Sequence, residues 1–141
     1  MQFGNTSYTS AVSLDSPFYG PILTDGFQGP FFYMAANNSG NHAALQEIWG
    51  KVEGRKEAVV VNDIMHNSYT DAVVLVPQVD PGSGLAVEYG KSIGTIDGER
   101  MVKIVTEYLK AFWDWTLLGQ EEKTLLKGEV KEFPEVVFEN L

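Results

Sequence analysis

The sequence of 141 residues contains no cysteine, only two histidines and just 10 basic side chains. The lack of cysteine excludes disulfides, thiolate zinc sites and cysteine nucleophiles, and it leaves the cellular compartment undecided. With 19 acidic side chains the net charge is −9, which argues against nucleic acid and anionic membrane surfaces as partners. No apolar run approaches the ~20 residues that cross a bilayer, so no transmembrane helix is expected.

Charge is also scarce in the first part of the chain. Residues 1–50 carry three charged side chains, Asp15, Asp25 and Glu47, and no lysine or arginine. A charge-poor segment rich in aromatic and small residues is typical of a protein interior. Residues 1–7 have neither a basic stretch nor an apolar core, so they are not expected to be a signal peptide. The hydrophobic content of 44% is enough for the core of one domain, predicted to span residues 1–141.

The hydrophobic pattern predicts an α/β protein with a mostly parallel sheet and flanking helices. Apolar runs predict strands at residues 11–14, 30–36 and 57–62, and helical spacing predicts helices at 42–52 and 97–118. Ser68-Tyr-Thr-Asp71 fits a capping box before an apolar helical stretch that ends at Val76, and residues 77–84 are expected to form a loop. The segment 133–138 is expected to be an edge strand or to lie on the surface. Three strands make a small sheet, so part of the sheet is expected to be missing.

Polar side chains follow each predicted strand, where ligands bind in open parallel sheets. Asp15 follows the first strand, Asn37, Asn38 and Ser39 follow the second, and His66 follows the third. An acid that precedes a histidine matches the chain order Ser, acid, His of a triad on an α/β-hydrolase sheet. No group of histidines and carboxylates has the spacing of metal ligands, so neither a metal nor a cofactor is predicted.

Several motifs occur together and in order. They are Val12-Ser-Leu-Asp-Ser16, Gly29-Pro-Phe-Phe32 and Met65-His-Asn-Ser-Tyr-Thr-Asp71. This combination resembles the platelet-activating-factor acetylhydrolase-like α/β-hydrolases, in which a Leu-Asp and a Pro-Phe strand precede His-x-x-aromatic-x-Asp. Ile93-Gly-Thr-Ile-Asp-Gly98, the long aromatic helix and Phe133-Pro-Glu-Val-Val137 resemble the C-terminal part of secreted microbial members. The resemblance covers nearly all of residues 11–138 and implies that Asp15 is the triad acid and His66 the triad base.

The sequence before Asp15 departs from the family pattern. The family's Gly-x-Ser-x-Gly nucleophile elbow should precede the acid, and the 14 residues before Asp15 contain no such motif. The oxyanion-hole loop, which lies further upstream in the family, is absent as well. We therefore expect a partial α/β-hydrolase fold, the C-terminal portion of a hydrolase without the N-terminal half that carries the elbow.

One pentapeptide imitates the missing elbow. Gly90-Lys-Ser92-Ile-Gly94 satisfies Gly-x-Ser-x-Gly, yet it follows His66, which is the wrong chain order for this fold. A true elbow also needs a buried strand in front of the serine, and residues 86–89 are short and half polar. Ser92 is therefore not predicted to be a nucleophile.

Each candidate residue also has a possible structural role. Asp15 would also serve as a strand-ending turn residue, and His66 as a loop histidine that caps the next helix. Asp71 is expected to be a helix-start cap and His42 a structural or solvent-facing residue. Further structural expectations are a turn at Asp25, helix packing by Trp113 and Trp115, and glycosylation sequons at Asn5 and Asn37 that matter only in a secreted chain.

The sequence as a whole predicts a fragment of a serine carboxylic-ester hydrolase that contributes Asp15 and His66 and is inactive alone. Its expected substrate is a small ester or a lipid, with acetylated phospholipids, small esters and polyesters all left open. Self-association through an exposed sheet edge is also expected. Two alternatives stay open: a non-catalytic α/β domain that binds a partner through the charge-poor residues 1–50, and a truncated gene product without a function of its own.

Overall fold

The computed structural model describes residues 8–37, 40–79, 82–128 and 131–141, apart from the side chains of His42 and Leu85. A four-stranded sheet has the order β1-β2-β3-β4. The strands are β1 (Ala11–Leu14), β2 (Phe31–Ala36), β3 (Lys56–Val61) and β4 (Val136–Phe138). The α-helices are α1 (Ile22–Asp25), α2 (His42–Trp49), α3 (Ala72–Leu75), α4 (Gly84–Gly90) and α5 (Gly98–Thr116). Short 3₁₀ turns occupy His66–Tyr69, Val76–Gln78 and Thr124–Lys127.

The sheet is mostly parallel, which confirms the predicted fold class. β1 pairs with β2 from Ala11 opposite Phe31, and β2 pairs with β3 from Phe31 opposite Lys56, both in parallel. β4 joins β3 in the antiparallel sense, with Val60 opposite Val137. All six residues of β2 are buried, as the apolar run on both of its faces predicts for a central strand.

Alternate residues of β2 supply the two layers of the core. Phe32, Met34 and Ala36 face α5, while Phe31, Tyr33 and Ala35 belong to the layer that contains Leu45 and Ile48 of α2. α5 begins where the Asp97 carboxylate accepts a hydrogen bond from the Arg100 amide at 2.9 Å. Its buried stripe consists of Met101, Ile104, Tyr108, Ala111 and Phe112, with Asp114 beside them. The ring of Phe32 stacks on Tyr108 and on Phe112, with centroids 5.9 and 5.8 Å apart, so the predicted helix packs on the sheet as expected.

The segment before β4 is fixed to α5 by both charge and packing. Arg100 makes a two-pronged ion pair with Glu135, from Nε to Oε1 at 2.8 Å and from Nη2 to Oε2 at 2.9 Å. The same guanidinium lies 4.8 Å from the ring centroid of Phe133, which is buried. These contacts hold residues 133–135, which lead into the edge strand at Val136–Phe138, one of the two outcomes that the sequence leaves open.

The structure departs from four local expectations. Ser68 does not cap α3, because its hydroxyl is buried in the 3₁₀ turn, donates to the Ile93 carbonyl and accepts from the Met65 amide. Asp71 does precede α3, but no capping hydrogen bond from its side chain is present among the described residues. The helix predicted at 42–52 ends at Trp49, and the expected loop at 77–84 begins inside a 3₁₀ turn, with residues 80 and 81 outside the described part.

Within the described ranges, no helix combines the length and apolar character that crossing a membrane requires.

Candidate active site

Asp15 lies directly after β1 and is completely buried. Its backbone is in the left-handed region with φ 51°, a conformation that aspartate tolerates better than most residues. The main chain is held from two sides: the Asp15 amide donates to the Met34 carbonyl at 2.8 Å, and the Asn41 side-chain amide donates to the Asp15 carbonyl at 2.5 Å. This backbone turn directs the carboxylate toward the carboxyl end of β2.

Both carboxylate oxygens of Asp15 have partners. Oδ1 accepts a hydrogen bond from the Ala36 amide at 3.1 Å, and Oδ2 lies 2.9 Å from Nδ1 of His66. The two partners differ greatly in exposure, since the side chain of Asp15 is 0% exposed and that of His66 is 59% exposed. A carboxylate only accepts, so this contact places the imidazole proton on Nδ1 and leaves the Nε2 lone pair available.

His66 begins the 3₁₀ turn His66–Tyr69, which is anchored at both ends. Ser68 ties the turn to the Ile93 carbonyl, and the Tyr69 hydroxyl donates to the Ala35 carbonyl at 3.2 Å. Gly94 has φ +73°, and a Cβ there would lie 2.4 Å from the Asp63 carbonyl oxygen. The chain before His66 therefore rests against a position that only glycine fits.

Two tyrosines lie near the acid, Tyr33, which is fully buried, and Tyr69, which is partly buried. Burial raises the pKa of Tyr69, and the negative charge of Asp15 and the nearby Tyr33 raise it further. Burial also raises the pKa of Tyr33, with a smaller contribution from Asp15. Both phenols therefore stay protonated at neutral pH and are available only as neutral groups.

Ser92 does not lie in an elbow. The residues in front of it form helix α4 instead of a buried strand, and its hydroxyl donates to the Tyr89 carbonyl at 2.8 Å. The second glycine of the pentapeptide, Gly94, is explained by its close approach to Asp63. The match to Gly-x-Ser-x-Gly thus has a structural origin.

The other candidates from the sequence lie apart from the Asp15–His66 pair. Asp25 ends α1, where its carboxylate accepts from the Thr24 hydroxyl at 2.7 Å. Trp115 packs edge-on against Phe112 in the core, whereas Trp113 is 42% exposed. Asn37 is exposed, while Asn5, Asn38 and Ser39 fall outside the described residues, as does the His42 side chain. In the described part of the chain, no three histidine or carboxylate side chains form a group able to hold a metal ion.

Sequence reasoning missed two residues that shape this site. Asn41 holds the backbone of Asp15, and nothing in its Asn-rich loop distinguishes it from its neighbours in the sequence. Tyr69 joins the histidine turn to β2, and its position as the aromatic residue of the His-x-x-aromatic pattern was a signal that could have identified it.

Comparisons with known proteins agree with this fold. No protein-family model matches the chain. The chain is 23% identical over 147 residues to a "probable 1-alkyl-2-acetylglycerophosphocholine esterase" of Arthroderma benhamiae, an alignment that covers 92% of this chain and 37% of that protein. The structure of this chain matches that of a ferulic acid esterase from Streptomyces cinnamoneus with a TM-score of 0.81 and 25% identity. The match covers 94% of this chain and 40% of the Streptomyces chain.

The chain therefore spans about two fifths of the length of these two relatives. Both relatives carry the name of an esterase, and the first is named for the ester that is also called platelet-activating factor. The matches extend over more than nine tenths of this chain, so the matched spans include β2, β3 and the positions of Asp15 and His66. The chain is similar to part of a platelet-activating-factor acetylhydrolase-like esterase of the α/β-hydrolase fold, as its motifs predict.

Proposed function

We propose that this chain is one structural unit, residues 1–141, that supplies the acid and the base of a Ser-His-Asp triad to a carboxylic ester hydrolase. The observation that carries the proposal is the 2.9 Å contact between Asp15 Oδ2 and His66 Nδ1, formed by a fully buried acid and a largely exposed imidazole. The similarity to two proteins named as esterases supports the same reaction class.

In the proposed reaction, Asp15 and His66 act on a serine that lies outside these residues. Asp15 accepts a hydrogen bond from Nδ1–H and so fixes the tautomer in which Nε2 is a base. Nε2 takes the serine proton as the serine oxygen attacks the ester carbonyl, and the carboxylate stabilises the imidazolium that forms. The imidazolium then protonates the leaving alcohol. In the second half of the reaction, Nε2 takes a proton from a water molecule as that water attacks the acyl carbon, and the imidazolium returns the proton to the departing serine oxygen. The expected substrates are short-chain esters or lipids.

The experiment compares the isolated chain with the chain joined to an N-terminal hydrolase half that carries a Gly-x-Ser-x-Gly elbow, either fused to it or added as a second chain. The isolated chain should neither hydrolyse a chromogenic short-chain ester above background nor react with a fluorophosphonate probe. The loss of a nucleophile from such a unit costs on the order of a millionfold in turnover, and each missing oxyanion donor about 10²–10³-fold. The joined protein should do both.

Three variants of the joined protein test the individual roles. Replacement of the base, His66→Ala, should abolish turnover, and Asp15→Asn should reduce kcat by about 10⁴-fold because the wrong tautomer is favoured. Ser92→Ala is the matched control and should leave the rate unchanged. An isolated chain that is labelled at Ser92 and turns over ester would overturn the proposal, as would an upstream sequence without a Gly-x-Ser-x-Gly elbow.

A further inference from the structure

A single peptide group of β2 makes two hydrogen bonds, one with Asp15 and one with the turn that carries His66. The carbonyl of Ala35 accepts the hydrogen bond of the Tyr69 hydroxyl at 3.2 Å. The amide of Ala36, the other end of the same peptide group, donates to Asp15 Oδ1 at 3.1 Å. Tyr69 lies in the 3₁₀ turn that begins at His66, so this peptide group connects the acid directly to the turn that carries the imidazole.

The chemistry of this connection favours a functional link over simple packing. A hydrogen bond to a peptide carbonyl polarises the peptide group and makes its N–H a stronger donor. Burial keeps the Tyr69 phenol protonated, so it remains a donor across the neutral range. The Tyr69 hydroxyl therefore strengthens the bond from Ala36 to Asp15 while it holds the turn of His66 at a fixed distance from the carboxylate.

We propose that Tyr69 is a positioning residue that fixes the geometry of the Asp15–His66 pair through the Ala35–Ala36 peptide group. The catalytic meaning of this role rests on the proposed function, whereas the physical coupling does not. Removal of the hydroxyl should loosen the imidazole relative to the carboxylate and weaken the Ala36 donor, without changing the shape of the aromatic core.

Tyr33 offers a matched control. It too is a tyrosine whose pKa responds to Asp15, but its hydroxyl is buried and has no hydrogen-bond partner among the described residues. Tyr33→Phe and Tyr69→Phe each remove one phenolic oxygen whose pKa is raised by Asp15. Only the second removes a hydrogen bond to β2.

The test uses ¹⁵N-labelled isolated chain and nuclear magnetic resonance. With only two imidazoles in the sequence, a His42→Gln variant assigns the His66 ring signals without ambiguity. The signals of interest are the His66 Nδ1–H proton and the Ala36 amide proton. In Tyr69→Phe the Nδ1–H should exchange with water roughly two- to tenfold faster, the factor that a net hydrogen bond supplies, and the Ala36 amide should shift upfield. Tyr33→Phe should leave both signals where the wild type has them.

A second variant covers the case in which Tyr69→Phe fails to fold. 3-Fluorotyrosine at position 69 keeps the ring and the hydroxyl but is a stronger donor, so the Ala36 amide should shift downfield and Nδ1–H exchange should slow. Unchanged Nδ1–H and Ala36 signals in the folded variants would overturn the proposal, as would equal changes in Tyr33→Phe. If the coupling is present while the joined protein lacks esterase activity, the positioning role stands and the proposed function fails.

Discussion

The two edges of the sheet are built in opposite ways. At the β4 edge, an antiparallel strand is fixed to α5 by the Arg100–Glu135 ion pair and by the buried ring of Phe133. At the β1 edge, four half-buried residues pair with β2 alone among the described residues, and no charged side chain precedes Asp15. We call the β4 edge, which these contacts fix to α5, the closed edge, and the β1 edge, whose strand carries no charged side chain, the open edge.

An apolar groove extends the open edge along α5. It has a volume of about 510 Å³ and is lined mainly by apolar side chains, namely Val105, Leu109, Trp113, Leu117 and Leu118. A 3.2 Å hydrogen bond from the Thr116 hydroxyl to the Ser10 hydroxyl joins the end of α5 to the start of β1, so groove and edge are neighbours. Asp15 of the candidate pair therefore lies at the end of the strand that forms the open edge.

The closed edge should be the more sensitive to a cavity. Phe133→Ala removes a buried ring that packs against Tyr108 at 5.8 Å and lies under Arg100, and should destabilise the chain by about 3–5 kcal/mol. Urea unfolding measures the loss. The control is Val137→Ala on β4, a side chain that is 47% exposed, where a change within about 0.5 kcal/mol is expected. A loss at Phe133 no larger than that at Val137 would show that packing does not hold this edge.

The open edge should control self-association. We expect the isolated chain to associate reversibly, and Leu117→Glu in the groove should weaken the association constant by at least about tenfold, because burial of a leucine contributes about 1.5–3 kcal/mol. Val87→Glu on α4 is the matched control, since the two side chains are 55% and 56% exposed. Sedimentation equilibrium provides the measurement. A wild-type chain that stays monomeric at high concentration, or an equal effect of both variants, would contradict the assignment of this surface.

The smallest expected effect is on the pH dependence of stability, through the carboxylate of Glu135. The hydrogen bond from Arg100 lowers the pKa of Glu135 below its ordinary value of 4.5. A carboxylate whose pKa is lowered by folding stabilises the folded state above its unfolded pKa, and this stabilisation is lost as the pH falls through the folded pKa. Glu135→Gln should therefore lower Tm by a few degrees at neutral pH and match the wild type well below pH 4.5.

Thermal unfolding at a series of pH values follows this difference, with Glu121→Gln in the exposed loop after α5 as the control. A gap between wild type and Glu135→Gln that persists unchanged into acid would mean that the carboxylate charge does not contribute at this edge.

Most of the fold could be predicted because the spacing of apolar residues along the chain reflects which side chains are buried. The β2 run and the α5 stripe are long and apolar, so their type and place followed from spacing alone. The helix α1 is only four residues long, which leaves too little pattern to distinguish it from a turn. Ser68 was assigned wrongly because the capping rule considers only local partners, whereas the Ile93 carbonyl lies 25 residues away along the chain.

The proximity of Asp15 and His66 could be predicted, since both follow strands of one parallel sheet. Their support could not be predicted. The left-handed backbone of Asp15 and its contact with Asn41 depend on residues that are 26 positions apart in the chain, and hydrophobic spacing contains no information on such a contact.

Because Asp15 lies at the end of an edge strand, the stability of that strand affects how long the contact between Asp15 and His66 persists. Proteins open locally in small cooperative units, and an edge strand of four residues opens at a lower free-energy cost than the whole domain. We expect such an opening of β1 to withdraw the carboxylate from His66 while β2, β3 and α5 stay folded. The lifetime of the Asp15–His66 contact should therefore depend on one short strand, and a neighbour that pairs with β1 should lengthen it without any contact with the imidazole.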